Sequence, residues 1–245
     1  MNARLPRLGA WAAKRMLHHS GLLALARLRR SRERALVLRY HAITDGPAHV
    51  PYAGPSICLP VDAFRLQMAF VRRAYRVVPL DELVTAVGRG GKLPPRALAV
   101  TFDDGYADNH RLAFPVLQRF GLPATLYVTT GALDGGPPLW MSAARALVLA
   151  APAPELAASR DAIAAAVGAP ALHFAYPNAG GAHRYFDPDT AAILRRLGFR
   201  SAALSVAGAL CPGADVFTLP RIGIGPRLAA VGDLAAALER QRLAT

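Results

Sequence analysis

Cysteine is scarce in this chain. Cys58 and Cys211 are the only two, and no C-x-x-C pair exists. That excludes a disulfide framework and leaves two unpaired structural thiols, which say little about compartment. Acidic residues are also few, 16 against 29 Lys and Arg, for a net charge of +13. The imbalance is local: residues 1–34 hold nine Lys or Arg and one Glu. A basic end on a nearly ordinary body points to a surface-seeking tail, not a nucleic-acid-binding domain. Aromatics are thin there too, with Trp11 alone, so no nucleic-acid partner is expected.

Long apolar runs are missing as well. The best candidate near the start, residues 21–26, is far below the roughly 20 residues that span a bilayer. It is short for a signal peptide, and Arg27, Arg29 and Arg30 follow at once. The expectation is a protein that is cytoplasmic or peripheral at a membrane. Residues 8–30 can form an amphipathic helix, with Trp11, Leu17, Leu22 and Leu25 opposed to Lys14, Arg15 and Arg29. Such a helix either packs on the domain or gives residues 1–34 a peripheral membrane contact. Asp103 and Asp104 are adjacent, not D-x-D, and no Gly-rich phosphate loop is present, which sets phosphoryl transfer aside.

What the chain does have is apolar content, 53% over 245 residues. That suits one large α/β domain over residues 35–245, after a basic helical extension over 1–34. Strands are expected at 35–40, 76–79, 97–102, 124–129, 172–176, 199–204 and 217–224. Helices are expected at 61–74, 81–87 with Asp81 as N-cap, 111–120, 188–197 and 228–243, with an Ala-rich helical stretch over 142–167. Strands separated by helices imply parallel pairing and right-handed crossovers. A barrel and an open doubly wound sheet both fit.

The strongest local signal is Thr101-Phe102-Asp103-Asp104-Gly105. A buried strand ends there in two carboxylates and a glycine. Strand C-termini face the ligand crevice in parallel α/β folds. Adjacent carboxylates repel, so a cation or donor beside them is needed. A divalent metal with a general base suits them, and Gly105 permits the turn that exposes both. A helix N-cap with an acidic first turn is the plain alternative.

The company of that motif decides between them. Tyr40-His41-Ala42-Ile43 ends the first strand, and an F-x-x-Q-M helix begins at Phe64. Val77-Val78-Pro79-Leu80, Pro115-Val116-Leu117 and Pro123-Ala124-Thr125-Leu126-Tyr127-Val128 follow the same order. Phe174-Ala175-Tyr176-Pro177-Asn178, Gly198-Phe199 and Leu219-Pro220-Arg221-Ile222 complete it. Over roughly residues 35–225 the series resembles the polysaccharide deacetylases of carbohydrate esterase family four. It is most similar to the subgroup with Y-H and F-A-Y-P.

The resemblance implies a distorted, incomplete (β/α) barrel and metal-dependent N-deacetylation of an acetylated amino-sugar polysaccharide or its precursor. By motif position, Asp103 is implied as the general base and Asp104 as a ligand of a divalent metal, zinc first. The backbone N–H near Asn178 is implied to help hold the oxyanion. Tyr176 is expected to line the sugar site, or else to be a core aromatic. His41 is a candidate second metal ligand at the same mouth.

Three departures stand out. The family's H-[ST]-x-x-H metal motif is absent: the histidines are 18, 19, 41, 49, 110, 173 and 183, and no two are three to five apart. A catalytic zinc usually takes three protein ligands. Ala175 stands where many relatives carry an arginine that orients the base; Arg221 is the candidate replacement, or else a surface arginine. No late histidine follows His183 as a general acid. Two functions therefore compete: a metal-dependent deacetylase impaired by ligand loss, and an inactive deacetylase-like protein that binds carbohydrate or a partner.

Overall fold

The computed structural model describes residues 34–46, 55–129, 158, 160–161, 163–165, 168–176 and 188–243. The Ala-rich stretch over 142–167 lies mostly outside them, and the 1–34 extension is outside except for Arg34.

Two strands form the centre. β1 (Leu36–Tyr40) and β5 (Ala97–Phe102) run parallel, in register from Leu36↔Leu98 to Tyr40↔Phe102. Every residue of β5 is buried. A strand covered on both faces reads as one apolar run, which is why these two were legible. Its exception is Thr101, whose Oγ1 donates to the Leu38 carbonyl at 2.7 Å and so satisfies a buried hydroxyl.

β9 (Ile222–Gly223) pairs parallel with β1 on its other edge. β4 (Arg76–Val77) and β6 (Thr125–Leu126) both pair parallel with β5. β1 occupies one edge of β5 along its length, so β4 and β6 share the other. β4 takes its start and β6 its last two residues. β2 (Ala42–Thr44) and β3 (Cys58–Pro60) form a small parallel pair. β7 (His173–Ala175) and β8 (Ser201–Ala203) form another. Among the described residues no ladder joins β6 to β7, and the parallel strands are those of a distorted barrel.

Helices cover the outside. α1 (Val61–Ala74) buries Phe64, Gln67, Met68, Phe70, Val71 and Ala74 on one face. α2 (Leu80–Gly88) buries Leu80, Leu83, Val84 and Val87. α3 (Phe114–Phe120) follows a π-helical turn at Asn109–Ala113. α4 (Pro188–Arg196) and α5 (Val231–Leu243) complete the set. Strand residues divide by parity, as a pleat requires. Leu36, Leu38 and Tyr40 join the cluster under α1, with Phe64, Leu98 and Phe102. Ala35, Val37 and Ala99 join the interior, with Leu83, Tyr127 and Leu219.

Several boundaries differ from expectation. Asp81 does not cap α2: Pro79 holds the N-cap position, and Asp81 sits in the first turn. The strand expected at 217–224 is a 3₁₀ turn (Val216–Thr218) followed by β9 alone. Pro220 explains part of this, because it has no N–H to give a ladder. The strand expected at 124–129 shrinks to β6. Among the described residues no helix is long and apolar enough to cross a membrane.

Candidate active site

The site grows from the end of β5. The Asp103 N–H donates to the Tyr40 carbonyl at 2.9 Å, which carries the β1–β5 ladder one residue further. The backbone then turns left-handed twice, with φ of 73° at Asp104 and 70° at Gly105. Asp tolerates that region better than most residues, and glycine enters it freely. A Cβ on Gly105 would lie 3.1 Å from the Val128 side chain, so the turn also needs the missing atom.

Arg221 meets Asp103 face to face. Its Nη1 donates to Oδ1 at 2.5 Å and its Nη2 to Oδ2 at 2.9 Å. Its Nε donates to the Leu204 carbonyl at 2.9 Å, and its Cζ lies 5.0 Å from the Tyr127 ring centroid. The side chain is 1% exposed. A bidentate, charge-assisted pair of this kind fixes both the position and the plane of the carboxylate. Arg221 is thus a buried partner of Asp103, not a surface arginine.

His41 follows β1 and brings Nε2 to 3.9 Å from Asp103 Oδ2. Its backbone is held in turn: Asn109 Nδ2 donates to the His41 carbonyl at 2.7 Å, and the Ile43 N–H donates to Asp108 Oδ1 at 2.9 Å. Burial pushes the imidazole down to about 4, Asp103 pulls it up, and Arg39 and Arg221 push it down again. His41 is therefore neutral at neutral pH. Asp104 is raised by burial first and by Asp103 second; a hydrogen bond from Tyr106 and the charges of Arg39 and Arg221 oppose this.

Tyr176, expected at the sugar site, is 1% exposed. It packs with Phe174, Leu194 and Phe199, and its N–H donates to the Ala203 carbonyl at 2.9 Å. Its ring is a core aromatic here. Asn178 lies outside the described residues.

Arg39 escaped the sequence reading, which took residues 35–40 as a plain buried strand. Period-2 alternation puts Arg39 on the face of Val37 and His41, and an arginine on the inward face of an apolar strand is a signal. Asp108 and Asn109 were passed over as the start of a helix.

The divalent metal implied by the resemblance does not fit the described residues. Among them no three His, Cys, Asp or Glu side chains come together. Asp103 is committed to Arg221, and His41, the expected second ligand, presents Nε2 to Asp103. Arg221 already brings a positive charge against Asp103.

Comparison with known proteins agrees with this picture. The polysaccharide deacetylase family model matches residues 90–148, the stretch that contains Asp103 and Asp104. Over that stretch the chain is similar to the polysaccharide deacetylase family. Within it, the poly-beta-1,6-N-acetyl-D-glucosamine N-deacetylase of Escherichia coli (strain K12) is 34% identical over 91 residues, 36% of this chain and 13% of that one. The chain spans under a third of the length of the curated relatives it matches. Among solved structures, Streptococcus pyogenes deacetylase PplD in complex with acetate gives a TM-score of 0.66 at 19% identity, covering 86% of this chain and 99% of that one. IcaB from Ammonifex degensii gives 0.65 at 22% identity, covering 84% and 97%. Both likenesses establish the fold.

Proposed function

We propose that this chain acts on an N-acetylated amino-sugar polysaccharide or its precursor, and that the site at Asp103 receives the acetamide group. The observation that carries this reading is the Asp103–Arg221 clamp. A general base must be ionised and correctly aimed before it can take a proton from water. The clamp supplies the aim, because the guanidinium uses one lone pair on each carboxylate oxygen and leaves the others. Neutral His41 adds a polar group at 3.9 Å without adding charge. The name of the Escherichia coli relative supports the substrate class.

Turnover is slow in this reading. Asp103 can assist water, but among the described residues no set of ligands holds a cation to lower that water's pKa. The second reading, a carbohydrate-binding protein without turnover, is favoured by the same shortage of ligands. Acetate release from an N-acetylglucosamine oligomer separates the two. We expect slow release by the wild-type chain and loss in Asp103→Asn. Equal rates in both would overturn the hydrolase reading and leave the binding one.

A further inference from the structure

We propose that Asp108 and Asn109 are positioning residues: their side chains act as a substitute strand that fixes where His41 stands against Asp103. The inference rests on the reading of the Asp103 site as the place where an acetamide binds, and it adds two residues to that site.

Among the described residues no hydrogen bond holds the His41 ring. Its Nδ1 is buried without a partner, and its Nε2 lies 3.9 Å from Asp103 Oδ2, beyond hydrogen-bond reach. The place of the ring is therefore set through the backbone that carries it. That backbone is the link between β1 and β2, and the central ladder gives out there. The β1–β5 pairing stops at Tyr40↔Phe102, because the chain after β5 turns left-handed at Asp104 and Gly105.

Two side chains take over where the strand is missing. The Ile43 N–H donates to Asp108 Oδ1 at 2.9 Å, and Asn109 Nδ2 donates to the His41 carbonyl at 2.7 Å. A carbonyl and an N–H two residues apart are the pair that one residue of a parallel neighbour takes up, here around Ala42. Asp108 supplies the acceptor of that neighbour and Asn109 the donor. Asn109 Nδ2 also donates to Asp108 Oδ1 at 3.1 Å, so the two side chains form one unit. They are only 1% and 7% exposed, where such bonds are strong and costly to leave unmade. The unit is tied to the carboxylate turn as well, since the Asn109 N–H donates to the Tyr106 carbonyl at 2.9 Å. Residues 103–109 thus carry both the base and the brace for the imidazole beside it. A neutral imidazole offers one donor and one acceptor, so its place beside Asp103 decides what an acetamide meets there.

The test uses the full chain and two readouts. Circular dichroism checks that each variant is folded, and serine replaces alanine where one is not. The first readout is the NMR cross-peak of the His41 ring, identified by its loss in His41→Gln. Asn109→Ala and Asp108→Ala should move it. Asp108→Asn, whose amide oxygen can still accept from the Ile43 N–H, should leave it close to the wild-type position. The second readout is the affinity for an N-acetylglucosamine oligomer. Asn109→Ala should weaken it roughly two- to tenfold, the scale of one lost hydrogen bond, and should cost nothing further in a His41→Gln background. A His41 cross-peak unmoved by both alanine variants would overturn the proposal. So would an equal loss of affinity in both backgrounds, the mark of a merely structural role. A wild-type chain that binds the acetylated oligomer no better than its de-N-acetylated counterpart would instead refute the substrate reading, and the ring signal alone then decides on the brace.

Discussion

Asp103 and Asp104 are neighbours in the chain, yet they meet different partners. Asp103 faces Arg221, while Asp104 accepts a hydrogen bond from Tyr106 and feels Arg39 at longer range. Sequence pattern found both carboxylates, and it singled out Arg221 as the replacement for the arginine that relatives carry where this chain has Ala175. It missed Arg39, because one charged residue in a short apolar strand looked like noise. Motif position left Tyr176 either lining the sugar site or in the core, and packing against Phe174 and Phe199 makes it a core ring. His41 supplies a prediction at this scale. Its ordinary pKa is 6.5, and burial lowers it to about 4 in the folded chain. The unfolded chain takes up that proton first on acidification. The stability from neutral His41 is thus whole above pH 6.5 and is lost as pH falls toward about 4. Lowered His173 acts with the same sign, while raised Asp104 acts with the opposite one. The difference between wild type and His41→Gln isolates the effect. Denaturant midpoints from pH 7 to 4 should show wild type losing more stability, on the order of 3 kcal/mol. Parallel profiles would contradict the burial argument.

Elements were legible in proportion to their burial and length. β1, β5 and α1 were read nearly to the residue, since long runs packed on both sides or on one stripe leave a periodic trace. The pairs β2–β3 and β7–β8 are three residues per strand, too short to show a period. β2 and β3 were not expected at all. The F-x-x-Q-M pattern of α1 has a physical reason that spacing alone did not give. Gln67 is fully buried. It accepts from the Tyr40 hydroxyl at 2.8 Å and donates to the carbonyls of Leu228 at 2.8 Å and Ala229 at 3.2 Å. One amide thus ties β1, α1 and the turn before α5 together. Gln67→Leu keeps the volume but strands a hydroxyl and two carbonyls. It should cost roughly 1–3 kcal/mol, read as a lower urea midpoint at unchanged slope. A midpoint equal to wild type would mean that water replaces the amide without loss.

The whole molecule is a deacetylase-type barrel whose described strands do not close. That fold was legible in the sequence because its motifs come in a fixed order along the chain, each at a strand end. The absence of an H-[ST]-x-x-H pair is a property of the sequence itself. The meeting of Arg39 and Gly223 was not legible, because the two are far apart in the chain and pair only across a ladder. The central claim is that the site at Asp103 reads the acetamide of an amino sugar. The most direct measurement is isothermal titration of an N-acetylglucosamine oligomer and of its de-N-acetylated counterpart, at equal length and ionic strength. The account predicts that the acetylated oligomer binds at least about tenfold more tightly, and that Arg221→Met, which releases Asp103 from its clamp, removes that preference. Equal affinity for the two oligomers, or a preference that survives Arg221→Met, would contradict it.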